Sequence, residues 1–406
     1  MSEVPEKLRV LFVDDEAPIL AALKNLLRRE RSDWEMAFVV GGEAALKALE
    51  VNPYDVVISD ARMPGMDGAE LLGEVKARHP EVVRVVLSGY ADTASVLKLA
   101  KVSHQYLSKP CDGPTLRGVI SRARKTLERL SNPTLRTWLA SVESLPSAPA
   151  TWLELSRVVA SPTSSLDDFS AIVERDAAMT GKLLQLVNSA YFGTAKRVVS
   201  VRQAVVFLGA ELVKSLALSA HVFGAPSAAA SPDAQHEALL SARLARAFLQ
   251  GHPQADEAFT AALLRDVGEL VLSASQPAEA TRARAVAAAE GRSLCEVQRE
   301  LMGVGHDEVG AGLLDLWGLP VSLVEVAALH HDLGALEPGA HDLHAAIHFA
   351  DVMMGRQPLD QKFLEASGQA GNLTRWTSVA QKDFEARPAL WSELKLKGPC
   401  VATGHA

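Results

Sequence analysis

Asp14, Asp15, Asp60, Ser88 and Lys109 are polar side chains that each follow a short apolar run in the N-terminal part of the chain. Asp14 and Asp15 come after Leu8–Val13, Asp60 after Val56–Ser59, Ser88 after Val82–Leu87 and Lys109 after Gln105–Ser108. Carboxylates gathered at one edge repel one another unless a cation neutralises them, and hard oxygen donors with open positions suit Mg²⁺. The chemistry such a set could do is phosphoryl transfer to a carboxylate. Asp60 would be the nucleophile and phosphoacceptor, and Asp14 and Asp15 would join it in holding Mg²⁺. Lys109 would pair with the transferred group, and the Ser88 hydroxyl would hydrogen-bond to it. A second set lies further along: His236, Asp266, His306, His330, His331, His348 and Asp351. Imidazoles with carboxylates bind divalent transition metals, and the spacing of His344, His348 and Asp351 puts them on one helix face.

The elements that would position the first set are five short apolar runs alternating with helix-period segments over the first 130 residues. The strands are expected at Leu8–Val13, Met36–Val40, Val56–Ser59, Val82–Leu87 and Gln105–Ser108. The helices are expected at Ala17–Glu30, Glu43–Glu50, Gly68–His79, Thr93–Lys101 and about Thr115–Leu130. Strands apolar on both faces imply a parallel sheet covered by helices on each side, with reactive groups at the carboxyl ends of the strands.

From Thr134 to about Gly355 the apolar residues recur at three and four, so this half is expected to be all-helical. The predicted helices there are Ala171–Leu186, Val201–Phe223, His236–Leu249, Ala255–Leu272, His306–Trp317, Val321–His331 and Leu343–Met354. The expected organisation is an α/β domain over 7–130, a linker over 131–146, an all-α domain over 147–355 and an appendage over 356–406, where the pattern thins.

Composition narrows the function. The chain has 406 residues, 48% hydrophobic and 22% charged, as expected of globular domains. A net charge of −8 disfavours sequence-independent binding to nucleic acid or anionic lipid. Cys111, Cys295 and Cys400 have no metal or disulfide spacing and read as reduced thiols. No stretch reaches the roughly 18 apolar residues that would read as a membrane span, and no apolar leader precedes the first strand. The expected location is the cytoplasm.

The run Val13-Asp14-Asp15-Glu16, the segment Asp60-Ala61-Arg62-Met63-Pro64-Gly65-Met66-Asp67-Gly68, Ser88-Gly89-Tyr90 and Ser108-Lys109-Pro110 resemble the receiver domain of two-component response regulators. The resemblance implies a flavodoxin-like five-stranded sheet and Mg²⁺-dependent phosphorylation of Asp60 by a sensor histidine kinase. It also implies a cis peptide before Pro110, a switch role for Tyr106 and pairing of phosphorylated receivers into a homodimer.

The segment Ser144–Asp351 resembles the HDOD domain, a relative of the HD metal-dependent phosphohydrolases. The resemblance rests on Leu145-Pro146-Ser147, Asp176, Leu184, Val187-Asn188-Ser189-Ala190-Tyr191-Phe192-Gly193, Val201-Arg202-Gln203-Ala204 and Phe207-Leu208-Gly209. It continues in Gly305-His306, Val309-Gly310, Trp317-Gly318-Leu319-Pro320, His330-His331 and Ala350-Asp351. By that resemblance His236, Asp266, His306, His330, His331 and Asp351 stand where a vestigial HD site would be. The pair that names the parent superfamily here reads Arg265-Asp266. A fixed guanidinium cannot serve as a ligand, and two like charges about 4 Å apart cost roughly 4 kcal/mol. Metal binding in this half is expected to suffer.

The expected function is a phosphorylation-controlled response regulator with a non-catalytic helical output that contacts a partner protein. The rival is a metal-dependent phosphohydrolase or cyclic-dinucleotide phosphodiesterase with a degenerate site. The basic run Arg117, Arg122, Arg124, Lys125 and Arg129 is read as a solvated helix face.

Overall fold

The structure is a computed structural model that describes residues 7–88, 99, 102–109, 111–129, 139, 154–155, 158, 165–188, 197–208, 232–336 and 341–393. The linker at 131–146, the predicted helix at Thr93–Lys101 and the peptide before Pro110 fall almost wholly outside these residues.

The N-terminal domain is a five-stranded parallel sheet of β1 (Leu8–Asp14), β2 (Trp34–Val40), β3 (Val56–Asp60), β4 (Val83–Ser88) and β5 (Gln105–Ser108), in the order β2-β1-β3-β4-β5. Helices α1 (Ala17–Leu26), α2 (Gly42–Val51), α3 (Gly68–Arg78) and α4 (Gly113–Arg129) cover it. Alternate residues feed two cores. Val10, Phe12, Ile58, Val85 and Leu107 pack with Leu20 and Leu23 of α1 and Leu116 and Ile120 of α4. Leu11, Val13, Val57 and Val86 face Ala45 and Leu49 of α2 and Leu71, Leu72 and Val75 of α3. Both faces being covered is why these strands read as continuous apolar runs. The strand order reverses between β1 and β3, which opens a crevice at their carboxyl ends.

Among the described residues the second half is built of helices and the connections between them, with no strand. It comprises α5 (Leu166–Val173), α6 (Ala177–Val187), α7 (Pro232–Phe248), α8 (Ala255–Leu264), α9 (Val267–Ser275), α10 (Pro277–Glu290) and α11 (Leu294–Met302). It continues with α12 (His306–Leu316), α13 (Val321–Leu329), α14 (Asp342–Met353), α15 (Gln361–Ala366), α16 (Leu373–Ala386) and α17 (Pro388–Glu393).

Two helices expected to be continuous are broken. Ala171–Leu186 divides at Asp176, a fully buried side chain whose carboxylate accepts the Met179 backbone N–H at 3.0 Å and so restarts the helix. Ala255–Leu272 divides at Arg265-Asp266, where α9 begins. The segment expected as an appendage packs into the helical core. Trp376 of α16 donates its indole N–H to Phe248 O at 3.0 Å and its ring lies 5.4 Å from that of Phe248 and 5.6 Å from that of Phe349. Phe363, Leu364, Ala380 and Trp391 of the same segment are buried in that core as well.

The two domains share apolar surface. Leu316 at the end of α12 sits in the core under α4, and Gln105 Nε2 of β5 donates to Leu316 O at 3.4 Å. Gln185 Nε2 of α6 donates to the His104 carbonyl at 3.4 Å, and the Lys182 ammonium lies 5.7 Å from the Trp317 ring centroid.

Candidate functional site

In the crevice of the α/β domain, β1 ends on Asp14 and β3 on Asp60, both buried, with Asp15 half-buried beside them. Asp14 Oδ1 accepts the Glu16 backbone N–H at 3.0 Å, and Asp60 Oδ2 accepts the Arg62 backbone N–H at 2.8 Å. Lys109, just past β5, donates to Asp14 Oδ2 at 2.7 Å and pairs with Asp60 Oδ1. Burial opposes its charge, but the hydrogen bonds it donates to Asp14 and Asp60 outweigh that and raise its pKa. Ser88 closes β4, buried and one strand over from Asp60.

Sheet pairing aligns these ends. The register Asp60↔Leu87 and Ser88↔Ser108 brings residues far apart in sequence to one edge. Gly68 lets α3 start close behind the acceptor, since a Cβ there would lie 2.1 Å from Asp60 O. The capping box of Asp67 and Glu70 fixes that helix start. Three carboxylates against one ammonium leave the crevice anionic, an all-oxygen donor set that fits a hard divalent cation. The side chains of Tyr106 and of residues 122–129 lie outside those described. Arg117 forms an ion pair with Glu30 at 3.7 Å.

In the helical domain Asp266, His306, His330 and His331 converge, with one ligand-capable atom from each all within 4.8 Å of one another. Asp266 immediately precedes α9, His306 starts α12, and His330-His331 follow α13. A glycine contact makes the approach possible: a Cβ on Gly268 would meet His306 O at 2.0 Å and the Gly310 nitrogen at 2.6 Å. His306 Nε2 lies 3.1 Å from His331 Nε2 and 3.6 Å from Asp266 Oδ1, and His330 Nε2 lies 3.2 Å from the same oxygen.

His236 and Asp351 are not among the four. Asp351 Oδ1 is held by Arg265 at 2.8 Å and by the Ser241 hydroxyl at 3.1 Å. Arg265, 1% exposed, also donates to Ser241 Oγ at 2.7 Å and lies 3.3 Å from Asp266 Oδ2. Arg356, from the expected appendage, lies 3.4 Å from Asp266 Oδ2 and 3.9 Å from Asp351. Burial resists ionisation of Asp266, but Arg265 and Arg356, with the neighbouring imidazoles, hold its carboxyl well below the usual range. His344 and His348 share a face of α14 as expected, but line a separate small cavity with His330, and His348 Nε2 accepts the Asp360 backbone N–H at 2.9 Å. Arg356, Ser241 and Gln298, a partner of His306, carried no signal in sequence because only tertiary packing brings them here.

Comparison with known proteins agrees with this division. The family model described as the response regulator receiver domain matches residues 10–121, and that described as the HDOD domain matches residues 145–333. The chain therefore carries a receiver domain followed by an HDOD domain. An uncharacterized protein of Treponema pallidum is 28% identical over 232 residues, 54% of this chain and 45% of that protein. The hydrogenase transcriptional regulatory protein HoxA of Cupriavidus necator is 32% identical over 205 residues, 47% of this chain and 41% of that protein. The chain thus spans less than half the length of these curated relatives. The crystal structure of the MmoQ response regulator from Methylococcus capsulatus is 26% identical with a TM-score of 0.47, covering 58% of this chain and 98% of that one. Among the described residues no helix is long and apolar enough to cross a membrane.

Proposed function

We propose that this protein is a phosphorylation-controlled response regulator whose Asp60 accepts a phosphoryl group from a histidine kinase and whose HDOD domain signals by protein contact rather than hydrolysis. The observation that carries the reading is the Lys109 ammonium bound to both Asp14 and Asp60 at one strand edge. In the transfer an Asp60 carboxylate oxygen forms the new P–O bond as the bond from phosphorus to the kinase imidazole nitrogen breaks. Asp14, Asp15 and Asp60 would hold Mg²⁺, which supplies charge neutralisation. Lys109 takes the charge of the arriving oxygens, and the Ser88 hydroxyl turns to donate to one of them.

The signal has a physical route. The receiver's β5 and α4 lie against α12, so a shift of that face bears directly on the output domain. The same face is the one by which phosphorylated receivers would pair, so dimerisation competes with this docking and requires its release. Arg265 bound to Asp351 argues against the hydrolase reading, since the carboxylate a second ion would need is already neutralised. The receiver likeness and the net negative charge favour a cytoplasmic protein with a protein partner.

Acetyl phosphate with Mg²⁺ should add one phosphoryl group to the wild type and none to Asp60→Ala, read by intact mass. Labelling that persists in Asp60→Ala would overturn the assignment.

A further inference from the structure

We propose that the HDOD domain binds a single divalent transition-metal ion through Asp266 Oδ1 and the Nε2 atoms of His306, His330 and His331. Arg265 and Arg356 close the neighbouring carboxylates to a second ion.

The hydrogen bonds behind the imidazoles carry the argument. Gln298 Oε1 accepts the His306 backbone N–H at 3.0 Å and lies 2.7 Å from His306 Nδ1, while Gln298 Nε2 donates to Glu269. The amide orientation is thereby fixed, so His306 Nδ1 must be the donor and Nε2 carries the lone pair. His330 Nδ1 likewise faces the Ala327 carbonyl at 3.0 Å, which can only accept, and its Nε2 is left as the second lone pair. That Nε2 has no well-aligned hydrogen bond on a residue only 5% exposed, and it lies 3.2 Å from an Asp266 oxygen.

A carboxylate oxygen and an imidazole lone pair facing each other in a buried site repel unless a cation lies between them. A proton on His330 would serve Asp266, and a neutral His331 could then donate to His306. That arrangement, however, places an imidazolium on a side chain only 5% exposed, with its ring 5.6 Å from that of His306 and 3.9 Å from that of His331. One divalent ion meets all four atoms together.

The dimensions suit it. A tetrahedron with metal–ligand bonds of about 2.0–2.1 Å has edges of roughly 3.3 Å; three of the separations here are 3.1, 3.2 and 3.6 Å, and all lie within 4.8 Å. Three imidazoles and one carboxylate select Zn²⁺, Fe²⁺ or Co²⁺ over Mg²⁺ or Ca²⁺. Acceptors that lock the far ring nitrogen are the usual support of metal-ligating histidines. His331 is exposed and supplies the entry path. Only one ion has room: Asp266 Oδ2 faces Arg265 and Arg356, and Asp351 is bound by Arg265 and Ser241. The guanidinium expected to oppose metal is engaged by these carboxylates, Asp351 and the far oxygen of Asp266.

The inference stands apart from phosphorylation of Asp60, and its test leaves the receiver unaltered. Full-length protein stripped with chelator and returned to excess Mg²⁺, which occupies the receiver crevice, is titrated with Zn²⁺ by calorimetry and with Co²⁺ by visible absorption. The expected result is one equivalent, with Co²⁺ bands in the range of four-coordinate nitrogen and oxygen ligation. His331→Ala, a surface change that leaves the fold intact, should abolish the bands. Gln298→Leu, which unlocks the His306 tautomer, should weaken affinity about 10- to 100-fold. No saturable uptake, or uptake unchanged in His331→Ala, would overturn the proposal; two equivalents would overturn the single-ion claim.

Discussion

Arg265 is the residue whose placement governs the helical site. Its guanidinium neutralises Asp351 inside the protein, and both side chains are almost wholly buried. Removing one member of such a pair leaves an uncompensated charge, so Arg265→Met should destabilise the helical domain by about 3 kcal/mol in chemical denaturation. A loss under half a kilocalorie would mean that Arg356, 3.9 Å from Asp351, takes over the compensation. Lys109 plays the corresponding part in the receiver. Lys109→Met strips the ammonium from Asp14 and Asp60, so the variant should melt earlier than wild type in chelator and gain more in Tm from added Mg²⁺. An equal gain in both proteins would show that the lysine does not offset the carboxylate repulsion.

Among the elements, α9 and α12 decide whether the histidine cluster exists. They cross with Gly268 set against Gly310, which brings the α12 start, with His306, beside Asp266. Gly268→Ala would drive a methyl group into the His306 carbonyl, and overpacking of this kind costs typically 1–3 kcal/mol. The expected outcome is a lower Tm together with weaker Co²⁺ binding, because the helices must part. A variant as stable as wild type with full Co²⁺ uptake would refute the crossing as the organising contact. Helix α12 spans 11 residues, about 16 Å at 1.5 Å per residue, with His306 at its first position and Leu316 at its last. One rigid element thus runs from the cluster to the receiver.

At the level of the whole molecule, the docked face carries a titratable group. Lys182 is buried at the junction, and burial, aided by the charge of Lys76 on the receiver, pulls its pKa from 10.5 down to about 7. A lysine with a depressed folded pKa binds fewer protons folded than unfolded once the pH passes that value. Stability contributed here is therefore lowest below about pH 7 and rises toward about pH 10, where the unfolded chain also loses its proton. Tm should climb between these limits in wild type, and Lys182→Met should flatten the climb while raising Tm at the acidic end. An identical pH profile in the variant would assign the dependence to other groups. The docking is what makes the position costly for a cation.

The described strands and helices of the receiver were legible from sequence, since strands covered on both faces must be apolar and reactive groups fall at their ends. Asp14, Asp15, Asp60, Ser88 and Lys109 stand at the strand ends where local pattern put them. The all-helical character of the second half followed from periodicity in the same way. Sequence could not reveal the breaks at Asp176 and Arg265, because helix period alone does not register a buried cap or a close crossing. Nor could it tell which of the histidines meet: Asp266, His306 and His330-His331 lie on separate helices, and His236 and Asp351 looked equally eligible. The choice among them rests on contacts between side chains tens of residues apart, the Gly268–Gly310 crossing and the direction in which Arg265 turns, which only tertiary packing determines.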